Sequence, residues 1–141
     1  MRLGATIEDY IQSRDPLAYV NECQKQGYRA ISFPNVLIGK SDEIQEIKRI
    51  FSVADIVIAE VTAWVNPLDP NQKKRQANLK KIAETLIIAD QLEAVCCATV
   101  AGSFDGSGTP CSHVGHHPEN FGPKAFEEVV QWVRHVLDEV K

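Results

Sequence analysis

Short β-rich segments alternate along the chain with longer segments in which apolar residues recur at helical spacing. The first kind is typical of strands and the second of helices that bury one face. The predicted strands cover residues 2–7, 28–33, 56–61 and 94–101. Each is followed by a predicted helix, and these begin near residues 16, 41, 71 and 123.

Capping residues mark the ends of the first two predicted helices. Asp15 followed by Pro16 is typical of a helix start, and Gly27 is typical of a C-terminal cap. Ser41 is a predicted N-cap, and the acidic residues 42–43 suit the first turn. The faces predicted to be buried are Leu17, Val20 and Cys23; Ile44, Ile47, Phe51 and Ala54; Leu79, Ile82, Ala83, Leu86, Ile87 and Ala89; and Phe126, Val129, Val130, Val133, Leu137 and Val140.

Strands that alternate with helices predict right-handed crossovers and a parallel sheet. The third strand, 56–61, is almost entirely β-branched or small, which predicts burial on both faces. Residues 8–11 after the first strand contain no glycine-rich phosphate loop, so a dinucleotide-binding fold is disfavoured. The predicted fold is α/β: half of a (β/α)8 TIM barrel, with four parallel β/α units in a single domain over residues 1–141.

Composition and charge narrow the range of partners. The chain has 141 residues and a net charge of -4, which makes nucleic acid or an anionic membrane a poor partner. No apolar run approaches the roughly 18 residues that span a bilayer, and residues 1–10 do not resemble a secretory signal. We therefore expect a cytoplasmic protein whose cysteines (Cys23, Cys96, Cys97 and Cys111) are reduced, small apolar residues, with Cys96 and Cys97 on opposite strand faces.

In parallel β/α folds the reactive groups gather at the carboxyl ends of the strands. Glu60 stands inside an otherwise apolar strand, where a carboxylate needs a partner, a metal or a substrate hydroxyl. A structural partner on a neighbouring strand is an equal alternative. Trp64 and Asn66 follow, and an aromatic ring beside an amide suits a polyol, although Trp64 could equally be a packing residue.

The predicted loop 102–122 carries the other candidate groups. Gly102 and Ser103 could offer backbone N–H groups to an anion. The loop also holds Cys111, His113, His116 and His117, whose spacing matches no standard zinc motif, so an exposed polar loop is the favoured interpretation and proton transfer by a histidine the alternative. The basic residues of the third helix are predicted to form a solvated face: Lys73, Lys74, Arg75, Lys80 and Lys81.

Several motifs, taken in order, resemble the sugar phosphate isomerase/epimerase family, the xylose-isomerase-like TIM barrels. They are the segment 58–68 (IAEVTAWVNPL), the helix end 89–92 (ADQL), the strand end 101–103 (AGS) and the segment 117–121 (HPENF) before a helix. The resemblance covers nearly the whole chain and corresponds to the N-terminal half of such a barrel.

The resemblance implies an enzyme of carbohydrate metabolism that moves a proton between adjacent carbons of a ketose or related polyol with a divalent metal (Mn, Mg, Co or Zn). The family's metal ligands lie at the ends of strands five to eight, so none carries over to this chain and no catalytic residue is assigned. What carries over is a substrate-binding set: Glu60, Trp64, Asn66, Ser103 and His117.

Four curved parallel strands would leave two unpaired edges and an open inner face. We therefore expect a homodimer in which two copies complete a closed or nearly closed barrel, unless the chain is a fragment of a longer protein. Three functions stay open: a sugar isomerase/epimerase-like protein, a non-catalytic polyol- or anion-binding half-barrel that works as a dimer, and a regulatory scaffold that works by assembly.

Overall fold

The chain folds as an α/β protein with four parallel strands in one sheet and four α-helices, matching half of a TIM barrel. The computed structural model describes residues 1–7, 15–33, 41–107 and 117–141. The strands lie side by side in chain order, β1-β2-β3-β4. The elements are β1 (Gly4–Ala5), α1 (Pro16–Gln26), β2 (Ala30–Phe33), α2 (Ser41–Val53), β3 (Val57–Ala63), α3 (Gln72–Gln91), β4 (Cys96–Thr99), a 3-10 helix (Pro118–Phe121) and α4 (Pro123–Glu139). The predicted fold class is confirmed.

Contacts divide the chain into two compact units. Unit 1 comprises Met1–Thr62 and Thr85–Ala98, and unit 2 comprises Ala63–Glu84 and Thr99–Lys141. The single domain expected from the sequence stays a prediction, and each unit is described by itself below.

Helix α1 is bounded by the caps that the sequence predicts. The Asp15 carboxylate accepts hydrogen bonds from the backbone N–H groups of Leu17 and Ala18, at 2.9 and 3.3 Å. Gly27 adopts a left-handed conformation at φ 76°, which a glycine accommodates without steric cost. Helix α2 begins at Ser41 itself. The sequence predicted Ser41 as the N-cap, which would place the first helical residue at Asp42.

The core of unit 1 lies between one face of the sheet and the helices. Tyr19, Phe33 and Phe51 are its largest members, with ring centroids 6.0 Å apart for Tyr19–Phe51 and 6.1 Å for Phe33–Phe51. The predicted faces of α1 and α2 are mostly confirmed: Val20, Cys23, Ile44, Ile47 and Phe51 are buried. The assignment of Leu17 to the buried face is wrong, because this residue is 57% exposed. The buried arc of α1 is formed by Tyr19, Val20 and Cys23, and Leu17 lies at its edge.

Strand β3 buries only one of its faces. Ile58, Val61 and Ala63 are buried, whereas Val57, Ala59, Glu60 and Thr62 are half-buried. The prediction of burial on both faces is therefore wrong. Of the half-buried residues, Ala59 and Glu60 line a concavity of the sheet that is described below.

In unit 2, α4 packs through Ala125, Trp132 and Val136, and the Trp132 indole donates a hydrogen bond to the Ala101 carbonyl at 3.1 Å. Of the face predicted from the sequence, Phe126 is 73% and Leu137 50% exposed, so those two assignments are wrong. On the part of α3 that belongs to unit 1, the assignment of Ile87 to the buried face is wrong, because Ile87 is exposed, whereas Thr85 is buried. The predicted solvated basic face holds for Lys73, Lys74, Lys80 and Lys81, whereas Arg75 is half-buried in an ion pair with Glu128.

Within the four described ranges, no helix has the length and apolarity needed to cross a membrane.

Candidate functional site

One face of the sheet in unit 1 carries a concavity of about 480 Å³, here called the sheet concavity. Apart from Ile31, its walls are small or polar side chains, where a packed barrel interior would have mostly bulky branched ones. The lining residues are Arg2, Gly4, Ala5, Thr6, Ala30, Ile31, Ser32, Ala59, Glu60 and Cys96. A volume of this size is within the usual range for a small-molecule site.

A break in strand register directs Glu60 into the sheet concavity. Ile31 of β2 pairs with Ile58 of β3, but the next pair is Ser32 with Glu60, so Ala59 is an extra residue on β3. Without this bulge, Glu60 would share the buried face of Ile58, because side chains two residues apart point the same way. The bulge instead gives Val61 that buried position and turns Glu60 to the open face.

Among the described residues, the Glu60 carboxylate has no hydrogen-bond or ion-pair partner. Ser32 lies opposite it on β2, and both line the sheet concavity. A half-buried, unpaired carboxylate beside a hydroxyl can accept hydrogen bonds from ligand hydroxyl groups. The alternative weighed from the sequence, a structural partner on a neighbouring strand, is not present in the described ranges.

The two adjacent cysteines of β4 point in opposite directions, as their positions on a strand predict. Cys97 packs against the core of unit 1, and burial raises the pKa of its thiol. Cys96 lines the sheet concavity, and its Sγ donates to the Ala59 carbonyl at 3.5 Å. The expectation that the cysteines are buried is wrong for Cys96, which is exposed, and holds for Cys23. Cys111 lies outside the described residues.

Unit 2 holds a second cluster of candidate residues, organised around the Asn66 side chain. The Asn66 Nδ2 donates to the Ser103 carbonyl at 2.7 Å, and its Oδ1 accepts from the Ser103 backbone N–H at 2.8 Å. The same oxygen accepts from the Leu68 N–H at 3.1 Å. Asn66 therefore holds the segment after β3 against the segment after β4. Because the Ser103 N–H is already bonded, it is not available to an anion, and that part of the sequence interpretation is wrong.

The Ser103 side chain continues the network toward the 3-10 helix. Ser103 is buried, and its Oγ accepts from the Asn120 Nδ2 at 2.8 Å and from the Asp105 N–H at 3.1 Å. The Asn120 Oδ1 accepts in turn from the Phe104 N–H at 3.0 Å. Asn120 thus fixes the start of the loop from a position more than fifteen residues downstream in the chain.

His117 stands at the start of the 3-10 helix and packs against Phe104, with ring centroids 6.3 Å apart. Its Nδ1 is buried and has no hydrogen-bond partner among the described residues. On the same phenylalanine, the Lys124 ammonium lies 5.2 Å from the ring centroid. Trp64, directly after β3, is 61% exposed.

The five predicted substrate-binding residues thus fall into two groups. Asn66, Ser103 and His117 belong to one network in unit 2, where Trp64 also lies, and Glu60 belongs to unit 1. Their joint role as a substrate pocket stays a prediction. Sequence reasoning missed Ser32, Cys96 and Asn120. In β2, small or polar residues alternate with large apolar ones, and this alternation was a usable signal for Ser32.

Metal-ligating side chains do not cluster in the described ranges: they contain no group of three or more His, Cys, Asp or Glu residues placed to hold a metal ion. Three of the candidate ligands noted in the sequence, Cys111, His113 and His116, lie outside the described residues.

Comparison with known proteins identifies structural relatives and no sequence relatives. No family model and no curated protein sequence matches the chain. A candidate xylose isomerase from Rhodospirillum rubrum superposes with a TM-score of 0.69 at 12% identity, over 99% of this chain and 49% of its own. A D-psicose 3-epimerase from Clostridium cellulolyticum, solved with D-tagatose, gives a TM-score of 0.66 at 15% identity, over 99% and 48%. These likenesses show the fold, and the chain spans about half the length of the structures it matches.

Proposed function

We propose that this chain is a sugar isomerase/epimerase-like protein that acts on or binds a ketose or related polyol by metal-assisted proton transfer, with the metal ligands outside this chain. The observation that carries the proposal is the unpaired Glu60 carboxylate, turned by a β-bulge into a concavity of a xylose-isomerase-like fold. Bulges of this kind re-aim side chains and are frequent next to active sites.

The sheet concavity offers the chemistry that a polyol needs. Glu60 accepts hydrogen bonds from sugar hydroxyls, and Ser32 and Thr6 can donate or accept. Small neighbours such as Ala30 and Ala59 leave room for the carbon chain. The solved epimerase was crystallised with D-tagatose, a ketohexose, which supports ketohexoses as the first probes.

The fold relatives imply a divalent metal, and the described residues do not fit one. They provide no cluster of three ligating side chains, so no metal ligand is assigned here and no step is derived through a metal. Under this proposal the ligands come from residues outside this chain.

The residues of unit 2 take supporting roles. Asn66 and Ser103 are positioning residues, because their polar atoms already bond backbone and side-chain groups of the segments that follow β3 and β4. Trp64 and His117 are proposed to contact substrate, Trp64 through its exposed ring and His117 through its half-buried imidazole.

The alternative is a non-catalytic polyol- or anion-binding half-barrel that works as a homodimer. Its supporting observation is that the chain spans about half the length of its structural relatives, and its sheet ends in the edge strands β1 and β4. Under this alternative, two copies would pair these edges and enclose both concavities.

Ligand binding and proton exchange separate the two functions. D-psicose and D-tagatose are titrated by NMR in D2O with and without Mn²⁺, and deuterium uptake is followed at the carbons next to the ketone. Because the proposed metal ligands lie outside this chain, the chain alone is expected to bind sugar without uptake. Uptake that requires Mn²⁺ in a longer polypeptide that also carries those ligands supports the enzyme, whereas binding without uptake in both forms supports the binding module. Absence of both binding and uptake contradicts both proposals.

The variant Glu60→Gln tests the site. Loss of a charged hydrogen-bond acceptor is expected to weaken sugar binding by about tenfold or more. The matched control is Glu84→Gln, at an exposed acid on α3 that pairs with Lys80 in the described part of the chain; this variant should bind as the wild type does. Sugar should also slow alkylation of Cys96, which lines the same concavity. A Glu60→Gln protein that unfolds more easily but binds normally would make Glu60 a structural residue.

A further inference from the structure

Helix α4 carries two apolar stripes side by side, and only one of them is buried. The first, Ala125, Val129, Trp132 and Val136, packs within unit 2. The second lies one residue further round the helix and is here called the outer stripe: Phe126, Val130, Val133 and Leu137, followed by Val140 directly after the helix end. Phe126 and Leu137 are exposed, and the three valines are half-buried.

The spacing of the outer stripe is that of a helix-packing seam. Its residues follow one another at intervals of four, three, four and three, which keeps them on one face for about 21 Å. A solvent-facing helix surface has no need of such a run, and large exposed apolar patches commonly mark interaction sites. The stripe therefore has the pattern of a surface that packs against another helix.

The outer stripe is complementary to itself when a second copy is turned end for end. In an antiparallel pair with a two-fold axis near Gln131, Phe126 meets Leu137 of the second copy and Val130 meets Val133. Large residues thus face large ones and small residues face small ones, and each contact occurs twice, as an isologous interface requires.

The charges beside the stripe fit the same arrangement. Glu127 and Arg134 are exposed, flank the outer stripe on one side, and form no ion pair within the described ranges. In the antiparallel pair, Glu127 of each copy lies opposite Arg134 of the other. In a parallel pair, the flank that carries Glu127 and Arg134 would lie on opposite sides of the interface in the two copies, so these charges would not meet. Only the antiparallel orientation pairs them.

We infer that the outer stripe of α4 is a self-association surface, on which a second copy of this chain packs its own α4 in antiparallel orientation. The surface involves neither edge strand of the sheet, so it is distinct from barrel completion. It is also independent of the proposed sugar chemistry, because none of its residues lines the sheet concavity.

Sedimentation velocity over a concentration series tests the surface. The wild-type chain should form a reversible dimer. Phe126→Glu should raise its dissociation constant by at least about tenfold, because it puts a carboxylate opposite Leu137 of the second copy. Leu17→Glu, at an exposed leucine of α1, is the matched control and should leave the constant unchanged.

Charge reversal tests the orientation. Glu127→Arg and Arg134→Glu should each weaken the dimer several-fold, and the double variant should return to within about twofold of the wild type. Glu84→Arg, an exposed acid on α3, should have no effect. Because these positions are exposed, the variants should keep the wild-type circular dichroism spectrum.

Three results would overturn the inference. One is a wild-type chain that stays monomeric at every concentration, which leaves the stripe to a different occupant, such as a segment that follows residue 141 in a longer polypeptide. The second is a double charge variant that stays as weak as the single ones. The third is dissociation by Leu17→Glu as strong as that by Phe126→Glu, which would place α1 in the interface.

Discussion

Gly102 lies where two backbone segments approach more closely than a side chain would permit. Its φ of 101° is a conformation that residues with a Cβ rarely adopt. A Cβ built there would also lie 2.8 Å from the Leu68 Cγ and 3.0 Å from the Leu68 backbone nitrogen. The same contact brings Ser103 within hydrogen-bond distance of Asn66, so this glycine sets the geometry of the unit 2 cluster.

Replacing Gly102 with alanine should therefore destabilise the protein by roughly 2–4 kcal/mol, from backbone strain and steric overlap together. Gly27→Ala is the matched control. Gly27 also has a positive φ of 76°, but its Cβ would meet nothing within 4 Å, so the expected cost is only about 1 kcal/mol. Urea denaturation measures both variants. Equal losses would show that the approach to Leu68 contributes nothing.

The residue scale also shows what a sequence can and cannot specify about a site. Glu60 stands out in the sequence because an acid interrupts an apolar strand, and the cost of burying it is a general property of carboxylates. The direction in which it points depends on the register between β2 and β3, a property of two strands distant in sequence. Asn120 gave no such signal, because its hydrogen bonds to residues 103 and 104 exist only after folding.

At the scale of elements, one aspartate ties together the starts of three successive strands. Asp55 stands in the turn between α2 and β3. Its carboxylate pairs with Arg2, before β1, at 2.8 Å and with Arg29, before β2, at 3.3 Å. Arg2 also donates to the Asp55 carbonyl at 2.7 Å. The hydrogen bond from Arg2 holds the pKa of Asp55 below its ordinary value.

This lowered pKa gives a testable pH dependence. A carboxyl group whose pKa is lower in the folded state stabilises the protein above its unfolded pKa, and that stabilisation is lost as the pH falls through the folded pKa. Asp55→Asn should therefore unfold at lower urea concentration than the wild type at neutral pH. The two curves should converge in acid, below the usual aspartate range.

Asparagine suits the test because it tolerates the positive φ of 55° at this position. Asp90→Asn, at an exposed aspartate of α3 that forms no ion pair in the described ranges, is the control, and its difference from the wild type should not converge in the same way. A constant gap between Asp55→Asn and the wild type at all pH values would contradict an ionic role for Asp55.

Helix α4 illustrates which features of an element a sequence leaves open. Its start at Pro123 and its helical period were readable from local residues alone. The sequence contains two adjacent apolar stripes, and spacing alone does not say which of them is buried within unit 2. The buried stripe is the one that contains Trp132, whose indole N–H donates a hydrogen bond to the Ala101 carbonyl. This tertiary contact cannot be read from a local pattern.

At the scale of the whole molecule, the order β1-β2-β3-β4 leaves a strand at each end of the sheet with one unpaired side in the described structure. The alternation of strands and helices predicted this parallel order, because right-handed crossovers permit few others. The sequence could not show which partner, if any, satisfies the edges. Whether a second copy pairs with these edge strands distinguishes an open half-barrel from a barrel closed by that copy.

Hydrogen exchange can distinguish these two states strand by strand. In a monomer, amides of β2 and β3, which have neighbours on both sides, should exchange more slowly than those of β1 and β4. The two-residue β1 should be the least protected.

The concentration dependence of exchange separates the two kinds of association. Association through α4 alone should leave this order unchanged as the concentration rises, because it pairs no strand. Closure of a barrel should instead slow exchange in β1 and β4 together, since each edge then gains hydrogen-bonded neighbours from the second copy. Repeating the series with Arg134→Glu separates the two surfaces: edge protection that still rises with concentration in that variant would show that the sheet edges associate without α4.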